Sequence, residues 1–145
     1  MEPLFRFSLP IQVRFNDVDI MGHVSNTVYQ NYYDAGKMDY FDNLLDGLDY
    51  KELGIVGASI KIEYLKPIMF KDEIYVETRV SILGNKSFTM EHRLVNMKNG
   101  ELLSTCTAVI VCYDAVHKVS RQMPAVWRQN IINHEGKQLI IKNVS

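Results

Sequence analysis

The chain has 145 residues, 47% of them hydrophobic, and a formal net charge of −1. That length suits one domain, residues 1–145, with a core of its own. The balance excludes a disordered chain, a membrane-inserted segment and a basic face for nucleic acid, so neither a membrane nor a nucleic acid is an expected partner.

The N-terminal MEPLFRFSLP lacks a basic-then-apolar signal pattern. Cys106 and Cys112 fall in one strand-like run, where a straight strand holds them too far apart to bridge. Buried, reduced thiols and a cytoplasmic location are the expectation.

Ile11, Val13 and Phe15 alternate with Gln12, Arg14 and Asn16, which predicts a half-buried strand that delivers Asp17 and Asp19 at its end. Gly22 and His23 follow in a tight connection, and Ser25, Asn26 and Thr27 offer helix N-cap chemistry. A helix is predicted from about Asn26 to about Leu45, with an apolar stripe of Val28, Tyr32, Ala35, Met38, Phe41, Leu45 and Leu48. Tyr29, Tyr33 and Tyr40 lie off that stripe, so the helix is apolar on most sides and should be enclosed.

Four β-patterned segments come next: Ala58 to Lys66, Glu73 to Leu83, Ser87 to Met97 and Glu101 to Tyr113. Gly84-Asn85 and Asn99-Gly100 mark hairpins between them. The last segment is the most apolar and should be central. Pro124 opens a short helix through Trp127 and Ile132, Gly136 closes it, and Gln138 to Lys142 reads as a last strand or a tail. One striped helix followed by a large antiparallel meander suggests a sheet curled around that helix.

The chemistry concentrates at the helix start. A carboxylate, an imidazole and free backbone N–H groups fall within a few residues, an arrangement suited to a developing oxyanion. Each group also has a plainer role. Asp19 could be a turn acid and Asn26 an N-cap, and Asp17 reads best as an acid that shapes the turn. Lys86 is an ordinary turn lysine unless it meets a phosphate. No G-x-S-x-G elbow is present, which argues against a hydroxyl nucleophile. His92, His117 and His134 are scattered without metal-ligand spacing, so no metal and no cofactor are expected.

RFNDVDIMGHVSNTVYQNYYDAGKMDYF, with IKIEYLKPIMFKDEIYVETRV, LGNKSFTMEHRLVN and GELLSTCTAVIVCYD, resembles the hotdog-fold acyl-CoA thioesterases of the 4-hydroxybenzoyl-CoA thioesterase group over about residues 8 to 130. The resemblance implies an α+β hotdog fold, a curved antiparallel sheet wrapped around one long central helix. It implies hydrolysis of a fatty or aromatic acyl-CoA, with Asp19 as the catalytic acid and the Asn26 backbone N–H as oxyanion donor. A carboxylate in that place either activates water as general base or attacks directly to form an anhydride. His23 joins them as a candidate catalytic residue. The CoA tail would lie near Gly84, Asn85, Lys86 and Ser87, and the chain would form a homodimer or homotetramer with shared sites. Val18 stands where many members have Thr or Cys, and His23 where many have an apolar residue. Two other classes fit less well. A hotdog hydratase or dehydratase would use Asp19 and His23 to move water across a C–C bond. A non-catalytic acyl-CoA binder would need a further module.

Overall fold

The computed structural model describes residues 2–45 and 53–142. Leu48 and the predicted Asp46-Gly47 turn lie outside them. The elements run β1 (Phe7–Ile11), α1 (Asn26–Leu44), β2 (Leu53–Tyr64), β3 (Ile74–Leu83), β4 (Ser87–Asn96), β5 (Leu102–Asp114), β6 (Val119–Ser120), α2 (Ala125–Glu135) and β7 (Ile140–Ile141). They form the expected α+β hotdog architecture, a curved antiparallel sheet packed on one long helix.

The main strands lie in the order β1-β3-β4-β5-β2. β3, β4 and β5 are a meander, but β2 pairs with β5 and not with β3. The expected four-strand meander is therefore wrong by one strand. Leu65 and Lys66 both donate to the Leu103 carbonyl, which holds the end of β2 against β5 while the chain crosses to β3. The most apolar strand, β5, is interior, between β4 and β2. Ile140 and Ile141 pair parallel with Ile82 and Leu83, so the C-terminal segment adds a short strand. At the Asn99-Gly100 hairpin only Gly100 takes a positive φ, 71°.

The first strand also departs from expectation. β1 ends at Ile11, whose partner is Ile74. Phe15–Asp17 is a short 3-10 turn, and Phe15 is 77% exposed. The Asp17 carboxylate accepts the Arg14 N–H at 2.9 Å, and the Asp17 N–H donates to the Arg14 carbonyl at 2.9 Å. These bonds close a turn where apolar alternation alone predicted extended chain.

Helix α1 begins and ends where expected, and Tyr32, Phe41 and Leu45 of the predicted stripe are buried, but the rest of its deepest face is different. Tyr29, Tyr32, Tyr33, Gly36, Tyr40 and Phe41 are buried, whereas Val28, Ala35 and Met38 are half-buried. Gly36 decides the orientation. A Cβ there would stand 2.8 Å from Thr78 Oγ1 and 2.9 Å from Val76 Cγ1, so the missing side chain lets the helix ride close over β3. The tyrosine hydroxyls then find partners: Tyr32 donates to Asp17 Oδ2, Tyr33 to Ser104 Oγ and Tyr40 to Glu135 Oε2, at 2.6, 2.6 and 2.7 Å. Burial pushes all three phenols above their ordinary pKa, so they act as donors at working pH.

Apolar packing follows the helix in two groups. Phe41, Leu45, Phe88, Met90, Trp127 and Ile131 fill the C-terminal half, where α2 closes the core. Val24, Tyr29, Tyr33, Ile68, Val76 and Leu94 fill the N-terminal half and support the loop that precedes α1.

Candidate active site

Residues 18–25 form a tightly pinned loop between the 3-10 turn and α1. Val18 bridges Val24, and His23 bridges Met69. The Asp19 N–H donates to the His23 carbonyl at 2.8 Å, and the Gly22 N–H donates to the Asp19 carbonyl at 2.9 Å. Gly22 has φ 79°, a conformation that costs glycine little and other residues more. Val24 N–H donates to the Ile68 carbonyl at 2.8 Å, and Ser25 N–H to the Asp17 carbonyl at 2.9 Å.

This network orients Asp19. Its Oδ1 accepts the Met21 and His23 backbone N–H groups at 2.9 and 3.2 Å. Its Oδ2 has no hydrogen-bond partner among the described residues, so one oxygen is tethered and the other is available. Asp17 is used differently: its Oδ2 is held by Arg14 N–H and Tyr32 Oη. The two acids of the sequence motif thus separate into one that builds the turn and one that faces the cavity.

That cavity, about 450 Å³, is lined by Asp19, His23, Asn26, Tyr29, Tyr64 and Lys66 among others. The His23 ring has no hydrogen-bond partner among the described residues. Ser25, not Asn26, is the N-cap of α1, and its side chain makes no capping bond. Val28 N–H returns to the Ser25 carbonyl at 2.9 Å, while the Asn26 and Thr27 N–H groups carry no bond among the described residues. Open donors at the positive end of a helix suit an anionic oxygen.

Asp19, His23 and Asn26 are therefore brought to one cavity. Gly84, Lys86 and Ser87 are not part of it. Ser87 faces Val111 of β5, which faces Val56 of β2, whereas Tyr64 faces Ser104. At about 3.3 Å per residue this sets the turn about 25 Å from Tyr64 within one chain. Gly84 is buried and Lys86 is exposed. The Gly84 N–H donates to the Ser87 carbonyl at 2.8 Å, and the Gly84 carbonyl accepts Arg128 Nη1 at 2.7 Å.

Sequence reading did not assign the run Tyr64, Leu65, Lys66 and Pro67 to the cavity it lines. The Tyr64 hydroxyl donates to the Asn26 carbonyl at 3.3 Å, and its ring meets Tyr29 edge-on with centroids 4.8 Å apart. Lys66 pairs with Glu101. A Tyr-Leu-Lys-Pro run at a strand end was the available signal, since an exposed aromatic beside a strand-ending proline needs a reason.

Known proteins resemble the chain in sequence and in fold. The chain is 29% identical over 112 residues to the acyl-CoA thioesterase YbgC of Haemophilus influenzae, covering 74% of this chain and 81% of that one. It is 24% identical over 124 residues to the acyl-CoA thioester hydrolase YbgC of Escherichia coli O157:H7, covering 83% and 90%. The crystal structure of a thioesterase complexed with coenzyme A and Zn from Thermus thermophilus superposes with a TM-score of 0.81 at 30% identity, covering 92% of this chain and 96% of that one. The family model described as the thioesterase-like superfamily matches residues 13–131, and on that match, over most of its length, the chain belongs to this superfamily.

Proposed function

We propose that the chain hydrolyses acyl-CoA thioesters to a free acid and CoA. The observation that carries this reading is the convergence of a half-tethered carboxylate, an unpartnered imidazole and an uncapped helix start on one cavity. The acyl-CoA activity in the names of the two YbgC relatives supports it.

In this mechanism Asp19 Oδ2 takes a proton from water, and the resulting hydroxide attacks the thioester carbonyl carbon. The Asn26 N–H receives the oxygen as it becomes negative. Collapse of the tetrahedral species breaks the C–S bond, and the CoA thiolate takes the proton back from Asp19. His23 orients the water within the same cavity.

Assembly and the CoA tail belong to the same proposal. β2 pairs with β5 alone among the described strands. It exposes Val56, Ile60 and Tyr64 by 44%, 42% and 46%. Beside the cavity Ile20 and Met21 are exposed by 101% and 71%. An open strand edge continuous with apolar surface favours a second copy of the chain. In such a homodimer the CoA tail reaches the partner's Gly84–Ser87 turn, where Lys86 presents its charge. The two buried free thiols suit a reducing cytoplasm.

The test is thiol release from a panel of acyl-CoA substrates, run beside absorbance for hydration of an enoyl-CoA. Thiol release with no hydration is the expected result. Hydration without thiol release would overturn the reading.

A further inference from the structure

A second cavity, about 230 Å³, lies between α1 and β2 and is lined by Tyr33, Asp34, Lys37, Gly57, Ile60 and His92 among others. Its lining lies next to that of the first cavity along α1. Asn26 and Tyr29 line the first cavity, and Gln30 and Tyr33 line the second, all within reach on neighbouring turns of one helix. Tyr64 and Ile60 stand on the same side of β2, because strand side chains alternate. The β-bulge between Gly57 and Ser59 loosens the strand beside this second cavity.

His92 forms part of its inner wall and has no place in the mechanism above. It is 2% exposed, in a core where most buried residues are apolar. Its Nδ1 lies 2.9 Å from Thr78 Oγ1, and Thr78 is itself 1% exposed. Its ring tilts against Tyr33 with centroids 5.4 Å apart. Nε2 has no hydrogen-bond partner among the described residues and, unlike His134 Nε2, is not a fully buried unpaired atom, so it stays open to a polar group that enters the cavity. Burial, and secondarily the charge of Lys37, pushes the imidazole pKa down to about 3, so the ring is neutral at working pH. A neutral ring nitrogen is either donor or acceptor, and a hydroxyl satisfies both cases. A carboxylate end group suits the cavity less well, because Lys37 already pairs with Asp34 at 3.3 Å.

We infer that this cavity takes the distal part of the acyl group and that His92 Nε2 bonds a hydroxyl on it, which makes the preferred substrate a medium-chain hydroxyacyl-CoA. The inference rests on the proposed thioesterase reading. The reach follows from the helix. Tyr33, against which His92 packs, is seven residues beyond Asn26, or about 10 Å at 1.5 Å per residue. An extended ω-hydroxyoctanoyl chain places its hydroxyl at that reach.

The experiment compares kcat/KM for ω-hydroxyoctanoyl-CoA and nonanoyl-CoA, which carries a methyl in place of the hydroxyl. The wild-type protein should prefer the hydroxylated substrate by about tenfold, the scale of one net hydrogen bond. His92→Leu should abolish or reverse that preference, and His92→Gln should retain part of it. Acetyl-CoA, too short to reach His92, should be hydrolysed equally by wild type and both variants, which a merely structural role would not allow. Equal kcat/KM for the two long substrates in the wild-type protein would overturn the inference and leave the thioesterase reading standing. So would an unchanged preference in His92→Leu. If that variant fails to fold, the wild-type ratio and His92→Gln decide. Hydrolysis of no acyl-CoA at all would overturn the thioesterase reading and the inference with it.

Discussion

At the scale of single residues, the two acids of the motif are told apart by what holds them. Asp17 is spent on Arg14 and Tyr32, while Asp19 keeps one oxygen without a partner among the described residues. Asp19→Asn should therefore lower kcat by at least ~100-fold, the scale of general acid–base catalysis, with the melting temperature little changed. Asp17→Asn should do the opposite, because it weakens the acceptor of a 2.6 Å hydroxyl bond and leaves chemistry to Asp19. Steady-state kinetics beside thermal unfolding checks both, and near-full activity in Asp19→Asn would remove it from the mechanism. Lys86 is exposed in its turn. Its charge would meet CoA phosphates that bind alike in ground and transition states. Lys86→Ala should raise KM for acyl-CoA and leave kcat nearly unchanged, with little effect on a short thioester lacking the nucleotide. Equal losses on both substrates would separate Lys86 from the nucleotide.

At the scale of elements, the packing of α1 on β3 depends on an absent side chain. By helix propensity alone, Gly36→Ala should stabilise α1 by about 1 kcal/mol. Contact wins instead, because the new Cβ would meet Thr78 Oγ1 at 2.8 Å and the Val76 methyls at 2.9 and 3.1 Å. Both neighbours are buried strand residues with little room to yield. The expected outcome is a net loss of about 1–3 kcal/mol, the cost of overpacking a core, read from urea unfolding. A stabilised variant would show that the helix shifts freely and that its tyrosine face is not set by this contact.

At the scale of the whole molecule, the open edge of β2 and the apolar residues beside the cavity predict association. Sedimentation at micromolar concentration should show at least a dimer, and a purely monomeric protein would count against a site shared between subunits. Acid stability should report His92. Its folded pKa lies near 3, below the ordinary 6.5. The unfolded chain therefore binds a proton that the folded chain refuses as pH falls through 6.5 toward 3. The folded state loses up to about 1.4 kcal/mol per pH unit across that window from this group, and above it the group is neutral in both states. His92→Leu should flatten the pH dependence of stability between those limits. An unchanged slope would mean that His92 titrates freely in the folded protein.

What the sequence determined by itself is local. The limits of α1, the β-patterned segments and the placing of Asp19, His23 and Asn26 around one helix start all follow from periodicity, caps and turn residues within a few positions of each other. The 3-10 turn at Phe15–Asp17 escaped this reading because one side chain–backbone bond competes with the alternation that signals a strand. What only the tertiary structure decided is which distant segments meet. Nothing near β2 states that its partner is β5, and nothing near His92 states that it faces the groove between α1 and β2. The helix face was misjudged in part, for the same reason. Tyr32, Phe41 and Leu45 of the apolar stripe are buried, but Val28, Ala35 and Met38 are only half-buried. Tyr33 and Tyr40, off the stripe, go deeper, because Ser104 and Glu135 arrive from elsewhere in the chain to bond their hydroxyls. Burial of a polar aromatic side chain depends on partners that the fold supplies, and local hydrophobicity does not register them.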